Sequence, residues 1–176
     1  HRAERGVNAS GYEYVRVVVA QSRKAEIGDK FAALHAQKGT IGKIVAPEDL
    51  PFTQDGIIPD ALINPLAFPS RMTIAMFVES LVGKAVALSP EFGGLSAKEL
   101  FLTRGTPFDS LVLSQVEQEL AKHGFQARGK ETMFNGITGR VLPAKVFIGP
   151  VYYQRLKHMV VDKIHARARG SHTSIT

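Results

Sequence analysis

Two lysines eight residues apart, Lys30 and Lys38, flank His35 in the run Gly28-Asp29-Lys30-Phe31-Ala32-Ala33-Leu34-His35-Ala36-Gln37-Lys38-Gly39-Thr40. Lysine is a compact point charge suited to phosphate, and the bracketing glycines let a ligand come close to the backbone. A solvated loop with two surface lysines has the same pattern, and the run alone does not separate the two readings. Arg71 follows Pro69-Ser70; with Ser70 as N-cap it falls in the first turn of a helix. A further basic run holds Arg155, Lys157, Lys163, Arg167 and Arg169 with His158 and His165, against the single acid Asp162. A protonated histidine donates to phosphate, whereas a neutral one packs in a core.

Self-sufficient catalytic sets are missing from the sequence. Gly39-Thr40-Ile41-Gly42-Lys43 is too short for a Walker-type loop, and there is no clustered Asp-x-Asp, no His-Glu-x-x-His and no nucleophile elbow. Asp29 reads as a brace for its loop rather than a metal ligand, and no metal site is expected in this chain. Without cysteine there is neither a disulfide framework nor a thiolate metal site, which suits a reducing compartment. The chain is poor in acids and bases arranged for chemistry and rich in cations for binding.

The 176 residues carry 22 Lys and Arg against 16 Asp and Glu, a net charge of +6. With a pI near 9.7 this balance favours polyanionic partners, although a merely soluble basic surface gives the same total. Its distribution is more telling. Seven basic residues fall between His1 and Lys38, none between Ile44 and Ser70, and five between Arg155 and Arg169. Were the fold to bring the two ends together, they would form one basic surface able to track a phosphate backbone. The most apolar stretch, Thr73 to Leu88, is interrupted by Glu79 and Lys84, so no run approaches the ~20 residues of a membrane span. The chain opens on His1 with no charged start before an apolar run, so no signal peptide is expected.

The elements that would position these residues follow from periodicity and turn chemistry. Glu13 to Ala20 is β-branched and aromatic and predicts a strand buried on both faces; Gly39 to Val45 predicts a second. Leu50 to Pro69 carries four prolines and should be extended. Ile74, Val78, Leu81, Ala85 and Leu88 predict one helix over Arg71 to Leu88. After a linker from Ser89 to Pro107, a helix is expected from Ser110 to His123, stopped by Gly124. Asn135-Gly136 predicts the turn of a hairpin, and Ala144 to Tyr153 a strand broken at Gly149-Pro150, whose Tyr152 and Tyr153 could stack on bases but are assigned to the core and left out of the site. Arg155 to His165 fits either a strand or a helix.

Three blocks in fixed order carry a resemblance. GDKFAALHAQKGTIG (residues 28–42), LPFTQDGIIPDALINPLAFPSRMTI (50–74) and FNGITGRVLPAKVFIGPVYYQRLKHMVVDKIHARARG (134–170) resemble the second-largest, β-like subunit of multisubunit DNA-dependent RNA polymerases. The wording is closer to eukaryotic and large-DNA-virus members than to bacterial ones. Two departures stand out. Cellular members usually have Arg-His-Gly where this chain has Leu34-His35-Ala36, a change shared with poxvirus-like members, and the family's paired aspartates appear as Val161-Asp162.

The resemblance implies an α/β (α+β) fold built on a double-psi β-barrel-type hybrid-binding module, with strands near Tyr14–Ala20, Thr40–Val45 and Ala144–Tyr153 and helices packed outside. It implies a fragment of a much larger subunit, with residues 1–170 as the hybrid-binding region and 171–176 opening the next segment. Lys30, Lys38 and Arg71 are then the candidate catalytic residues. The two lysines would lie beside the RNA 3′ end and the incoming nucleotide, and Arg71 would contact the triphosphate, backed by helix N-terminal amides. Lys30, Lys38, His158, Lys163, Arg167 and Arg169 would line the RNA–DNA hybrid. Catalytic Mg2+ would be held by the partner largest subunit. The implied partners are that subunit and other polymerase subunits, DNA template, RNA transcript and nucleoside triphosphates, without a membrane. The setting would be intracellular: the nucleus, or cytoplasm and virion for a viral member. Two rivals come from other classes: a non-catalytic basic RNA- or DNA-binding module, and a small independent enzyme acting on an anionic metabolite.

Overall fold

The structure, a computed structural model, describes residues 2–88, 108 and 113–171. The expected 89–107 linker, the start of the Ser110 helix and residues 172–176 of the continuation lie outside the described residues. The fold is a mixed α and β arrangement with three separate antiparallel sheets, and no closed barrel forms among the described residues.

The first sheet is a two-stranded ribbon of β1 (Arg2–Val7) and β2 (Glu13–Val18), with Arg5 opposite Val15. The predicted strand is present, but its predicted burial is not: every residue of β2 is exposed. β-Branched residues select the extended backbone, yet burial requires a second layer packed on the strand, which strand propensity does not supply. Ion pairs of Arg5 with Glu13 (2.9 Å) and Arg2 with Glu4 (2.6 Å) lie on its surface.

The second sheet has the order β4-β3-β8, from β3 (Lys30–Ala33), β4 (Lys38–Thr40) and β8 (Tyr153–Arg155). The strand expected over Gly39 to Val45 is therefore shorter and begins one residue earlier. The third has the order β5-β6-β7, from β5 (Phe52–Thr53), β6 (Lys130–Phe134) and β7 (Val141–Phe147). The β6–β7 hairpin forms as predicted, although its left-handed residue is Gly139 (φ 66°) rather than Asn135 or Gly136. Asn135 instead closes the turn through Oδ1, which accepts from the amides of Ile137 (2.9 Å) and Thr138 (3.1 Å). Gly136 is required for a different reason: a Cβ there would stand 2.3 Å from the Leu50 carbonyl oxygen.

The predicted helix over Arg71 to Leu88 is two helices, α1 (Ala67–Arg71) and α2 (Ile74–Leu88), separated at Met72, which is left-handed at φ 54°. Pro69 and Ser70 sit inside α1, so Ser70 is not an N-cap. Pro69 is tolerated because the amides of a helix's first turn have no intrahelical partner in any case. Arg71 consequently lies in the last turn of α1, not in the first turn of a helix.

α2 ties the molecule together. Ala85 on α2 packs with Val116 and Leu120 of α3 (Leu113–Lys122), joined by Leu81, Val82 and Phe125. The α3 helix stops at Gly124 (φ 78°) as predicted, where the Phe125 amide donates to the Leu120 carbonyl at 3.0 Å. Toward the third sheet, Phe77 meets Phe147 edge-on at 5.0 Å, and Lys84 Nζ pairs with Glu131 Oε1 at 2.6 Å. No described helix is long and apolar enough to cross a membrane.

Candidate functional site

The period-two geometry of the β3–β4 hairpin decides where the two lysines go. Lys30 pairs with Thr40 and Ala32 with Lys38, so all four residues share one face. Lys30 and Lys38 are diagonal neighbours, roughly 7–8 Å apart by strand geometry. Both are exposed, as is Gln154, the β8 partner of Ala32. The opposite face carries Phe31, Ala33, Tyr153 and Arg155, all at least partly covered. The sheet therefore presents two cations on a polar face and seals the other. Tyr153 faces the sealed side, and burial, then the charge of Glu79, pushes its hydroxyl above the usual tyrosine range. Tyr152, assigned to the core with it, is 64 % exposed.

Asp29 anchors this sheet from behind. It is 1 % exposed and accepts from the Val160 amide (3.0 Å), the Glu26 amide (3.1 Å) and Arg155 Nη2 (2.6 Å). The Val160 amide, followed by the Glu26 amide and Arg155, holds its carboxyl below the usual range against the opposing effect of burial. Arg155 also donates to the carbonyls of Arg23 (2.5 Å) and Lys24 (3.1 Å), while Arg23 pairs with Asp162 at 3.0 Å. The two basic ends of the chain do meet, but through contacts that consume Arg23 and Arg155 as braces. Gly28, at φ 100°, makes this corner possible: it lies against Val160, and a Cβ would stand 3.3 Å from that side chain.

The other candidates distribute around this unit. His158 is exposed and its carbonyl accepts from the Lys30 amide at 3.3 Å, which places it beside Lys30. Lys163 ends the 3-10 turn Val160–Asp162 that Asp29 fixes, and it too is exposed. Arg167 and Arg169 are exposed beyond that turn, Arg167 Nε donating to the Arg169 carbonyl at 2.7 Å. Asn64 orders the loop before α1, its Oδ1 accepting from the Leu66 amide at 3.0 Å.

The segment that carries Arg71 is tied to the lysine hairpin through a residue that the sequence does not single out. Gln37, next to Lys38 and only 8 % exposed, donates from Nε2 to Thr73 Oγ1 (2.6 Å) and to the Ala67 carbonyl (3.2 Å). Its two acceptors stand on either side of Arg71. A second tie runs from His35 Nε2 to Glu79 Oε2 (2.8 Å), and Glu79 Oε1 accepts from the Tyr152 amide (3.2 Å). The hairpin turn is thus docked at two points, on the α1–α2 junction through Gln37 and on α2 through His35. A buried glutamine has no signature in a single sequence, because its burial depends on what the fold lays over it.

Ala36 adopts φ 60° in this turn. A left-handed alanine is strained by roughly 1–2 kcal/mol, partly offset by the chain entropy a glycine would lose on folding. Ala36→Gly is therefore expected to be neutral or stabilising by up to about 1 kcal/mol, and Ala36→Val, β-branched, to destabilise by about 1–2 kcal/mol. Urea unfolding of the three forms checks the order.

Among the described residues no group of three or more carboxylates and histidines could hold a metal ion. The Asp29 oxygens are spent on two amides and a guanidinium. These residues do not fit a resident magnesium ion.

Comparisons with known proteins agree on one relationship. A family profile described as RNA polymerase Rpb2, domain 6, matches residues 2–176. The chain is 52% identical over 163 residues to the DNA-directed RNA polymerase II subunit RPB2 of Encephalitozoon cuniculi, covering 93% of this chain and 13% of that protein. It is 47% identical to the DNA-directed RNA polymerase II subunit 2 of Arabidopsis thaliana, covering 93% and 13%. It is 44% identical to the DNA-directed RNA polymerase III subunit RPC2 of Saccharomyces cerevisiae, covering 92% and 13%. The chain thus spans about 13% of the length of these relatives. With nearly every residue matched, the chain belongs to the family of RNA polymerase Rpb2, domain 6.

Proposed function

We propose that this chain forms part of the active centre of a DNA-dependent RNA polymerase, a nucleotidyltransferase, as the hybrid-binding region of a second-largest subunit. Lys30 and Lys38 hold phosphates of the RNA 3′ end and the incoming nucleotide, and Arg71 holds the triphosphate. His158, Lys163, Arg167 and Arg169 extend the cationic wall along the RNA–DNA hybrid. The observation that carries this reading is the pairing of Lys30 and Lys38 on one exposed sheet face, docked through Gln37 onto the segment bearing Arg71. Charge develops on phosphates during nucleotide addition, and cations fixed in advance stabilise it without reorganisation.

In this reading the largest subunit holds the magnesium and this chain supplies positioning and charge neutralisation. Residues 1–170 make up the hybrid-binding region, and 171–176 open the next segment. The double-psi barrel belongs to the same proposal, closed with strands from elsewhere in the polypeptide. Relatives named as polymerase II and III subunits favour a nuclear setting.

The test is affinity purification of the parent polypeptide from its cells. Co-purification of a larger subunit with an aspartate-rich metal loop, and template-dependent primer extension by that complex, are expected. Nucleic-acid binding without such a partner would favour the non-catalytic module, and turnover of an anionic metabolite by the isolated chain the small independent enzyme.

A further inference from the structure

Every cation assigned to the site is exposed, so something other than its own packing must set its position. For Lys30 that is the sheet, and behind it Asp29. For Lys38 and Arg71, which come from different elements, the direct connection is Gln37. Its backbone closes the hairpin, the Ala33 amide donating to the Gln37 carbonyl at 3.1 Å, while its side chain leaves the hairpin and bonds Ala67 and Thr73. In sequence Arg71 lies between those two acceptors, beside the left-handed Met72, which with Thr73 makes the two-residue break between α1 and α2. One buried amide thus spans the break that follows Arg71, and it belongs to the residue covalently next to Lys38.

We infer that Gln37 is a positioning residue: its amide clamps the Met72 break and thereby fixes Arg71 relative to Lys38, so that both cations meet one polyphosphate. The inference rests on the active-centre reading above and deepens it. An amide suits this place better than a carboxylate, because the Ala67 carbonyl and the Thr73 hydroxyl oxygen both act as acceptors for Nε2. Thr73 is its partner in the role, since its hydroxyl sits at the entry of α2. Loss of either group leaves the hairpin backbone and the His35–Glu79 tie in place, so the sheet keeps Lys38 while Arg71 loses its fixed distance from it. Misplacement by about 1 Å can cost up to about 10²-fold, so a tenfold loss in nucleotide binding lies within what a loosened Arg71 would give.

The experiment uses the complete polymerase assembled with the full-length parent subunit, and reads single-nucleotide addition against nucleoside triphosphate concentration. Gln37→Ala and Thr73→Val are each expected to raise the nucleotide KM about tenfold with little change in kcat, while Thr73→Ser, which keeps the hydroxyl, stays within twofold of the parent. The decisive comparison crosses Gln37→Ala with Arg71→Ala. In a positioning role the two losses are strongly sub-additive, because an Arg71 already misplaced has little left to lose. Additive losses, or a Gln37→Ala enzyme and a Thr73→Val enzyme both within twofold of the parent, overturn the inference. Should Gln37→Ala fail to assemble, the same cycle is run with Thr73→Val, whose change is one buried hydroxyl. If Lys38→Ala and Arg71→Ala alone leave addition unchanged, it is the active-centre reading that falls, and that result is distinct from the failure of Gln37.

Discussion

Lys30→Ala, Lys38→Ala and Arg71→Ala, each in the assembled polymerase, are expected to lower kcat/KM for single-nucleotide addition by about 10²–10³-fold. A cation about 4 Å from a phosphate charge, at an effective dielectric near 20, is worth roughly 4 kcal/mol, or about three powers of ten in rate if felt in the transition state. The fold should survive each change. All three side chains are exposed, and none makes a hydrogen bond or ion pair among the described residues, so truncation leaves no buried partner behind. The split between parameters carries information as well. A cation that binds the triphosphate equally in ground and transition states moves KM, whereas one that meets only the developing charge moves kcat. Arg71 is expected on the KM side and Lys30 with Lys38 on the kcat side. Unchanged single-turnover kinetics in all three variants would sink the assignment of these residues.

How far the sequence could lead is clearest at these same residues. The eight-residue spacing of Lys30 and Lys38 became a shared face because a hairpin turn lies between them, and side chains of paired strand residues project together. That much is local and readable. Arg71 was readable as a cation beside a helix but not as the last turn of a short one. The apolar period of α2 was correct from Ile74 onward, yet nothing in Pro69-Ser70-Arg71-Met72 says that Met72 will be left-handed. The tie through Gln37 and the burial of Asp29 belong to contacts between distant segments, which periodicity does not encode. β2 errs in the other direction: its valines read as core, but every residue of the strand is exposed, so strand propensity and burial come apart. Leu34-His35-Ala36, noted as a departure from the family, proved to be the docked turn itself, with His35 bonded to Glu79 and Ala36 taking the strain.

Arg155→Ala should have the largest effect on stability. It removes the guanidinium from a carboxylate that is 1 % exposed, and it also frees the Arg23 and Lys24 carbonyls, which pin the strap leading into the lysine strand. Breaking a buried pair from one side strands a charge, and a loss in Tm on the order of ten degrees is expected from such a lesion. Arg155→Lys should recover only part of it, because a single ammonium cannot reproduce a planar fork shared by three acceptors. The pH dependence gives an independent check. The folded Asp29 carboxyl lies below its unfolded value of 3.8, held there first by the Val160 amide. Its contribution is therefore fully present above that value and is lost as pH falls below about 4 through the lowered folded value, where the native state must take up a proton. Asp29→Asn removes the titrating group, so its unfolding midpoint should start lower near neutrality and converge on the parent's in acid. Parallel pH profiles for the two would show that Asp29 is not the group that ties the lysine sheet to the Val160 turn. Because Lys30 directly follows Asp29 and the Val160 amide is bonded to its carboxylate, a chain that loses that carboxylate should also lose the fixed spacing of Lys30 and Lys163.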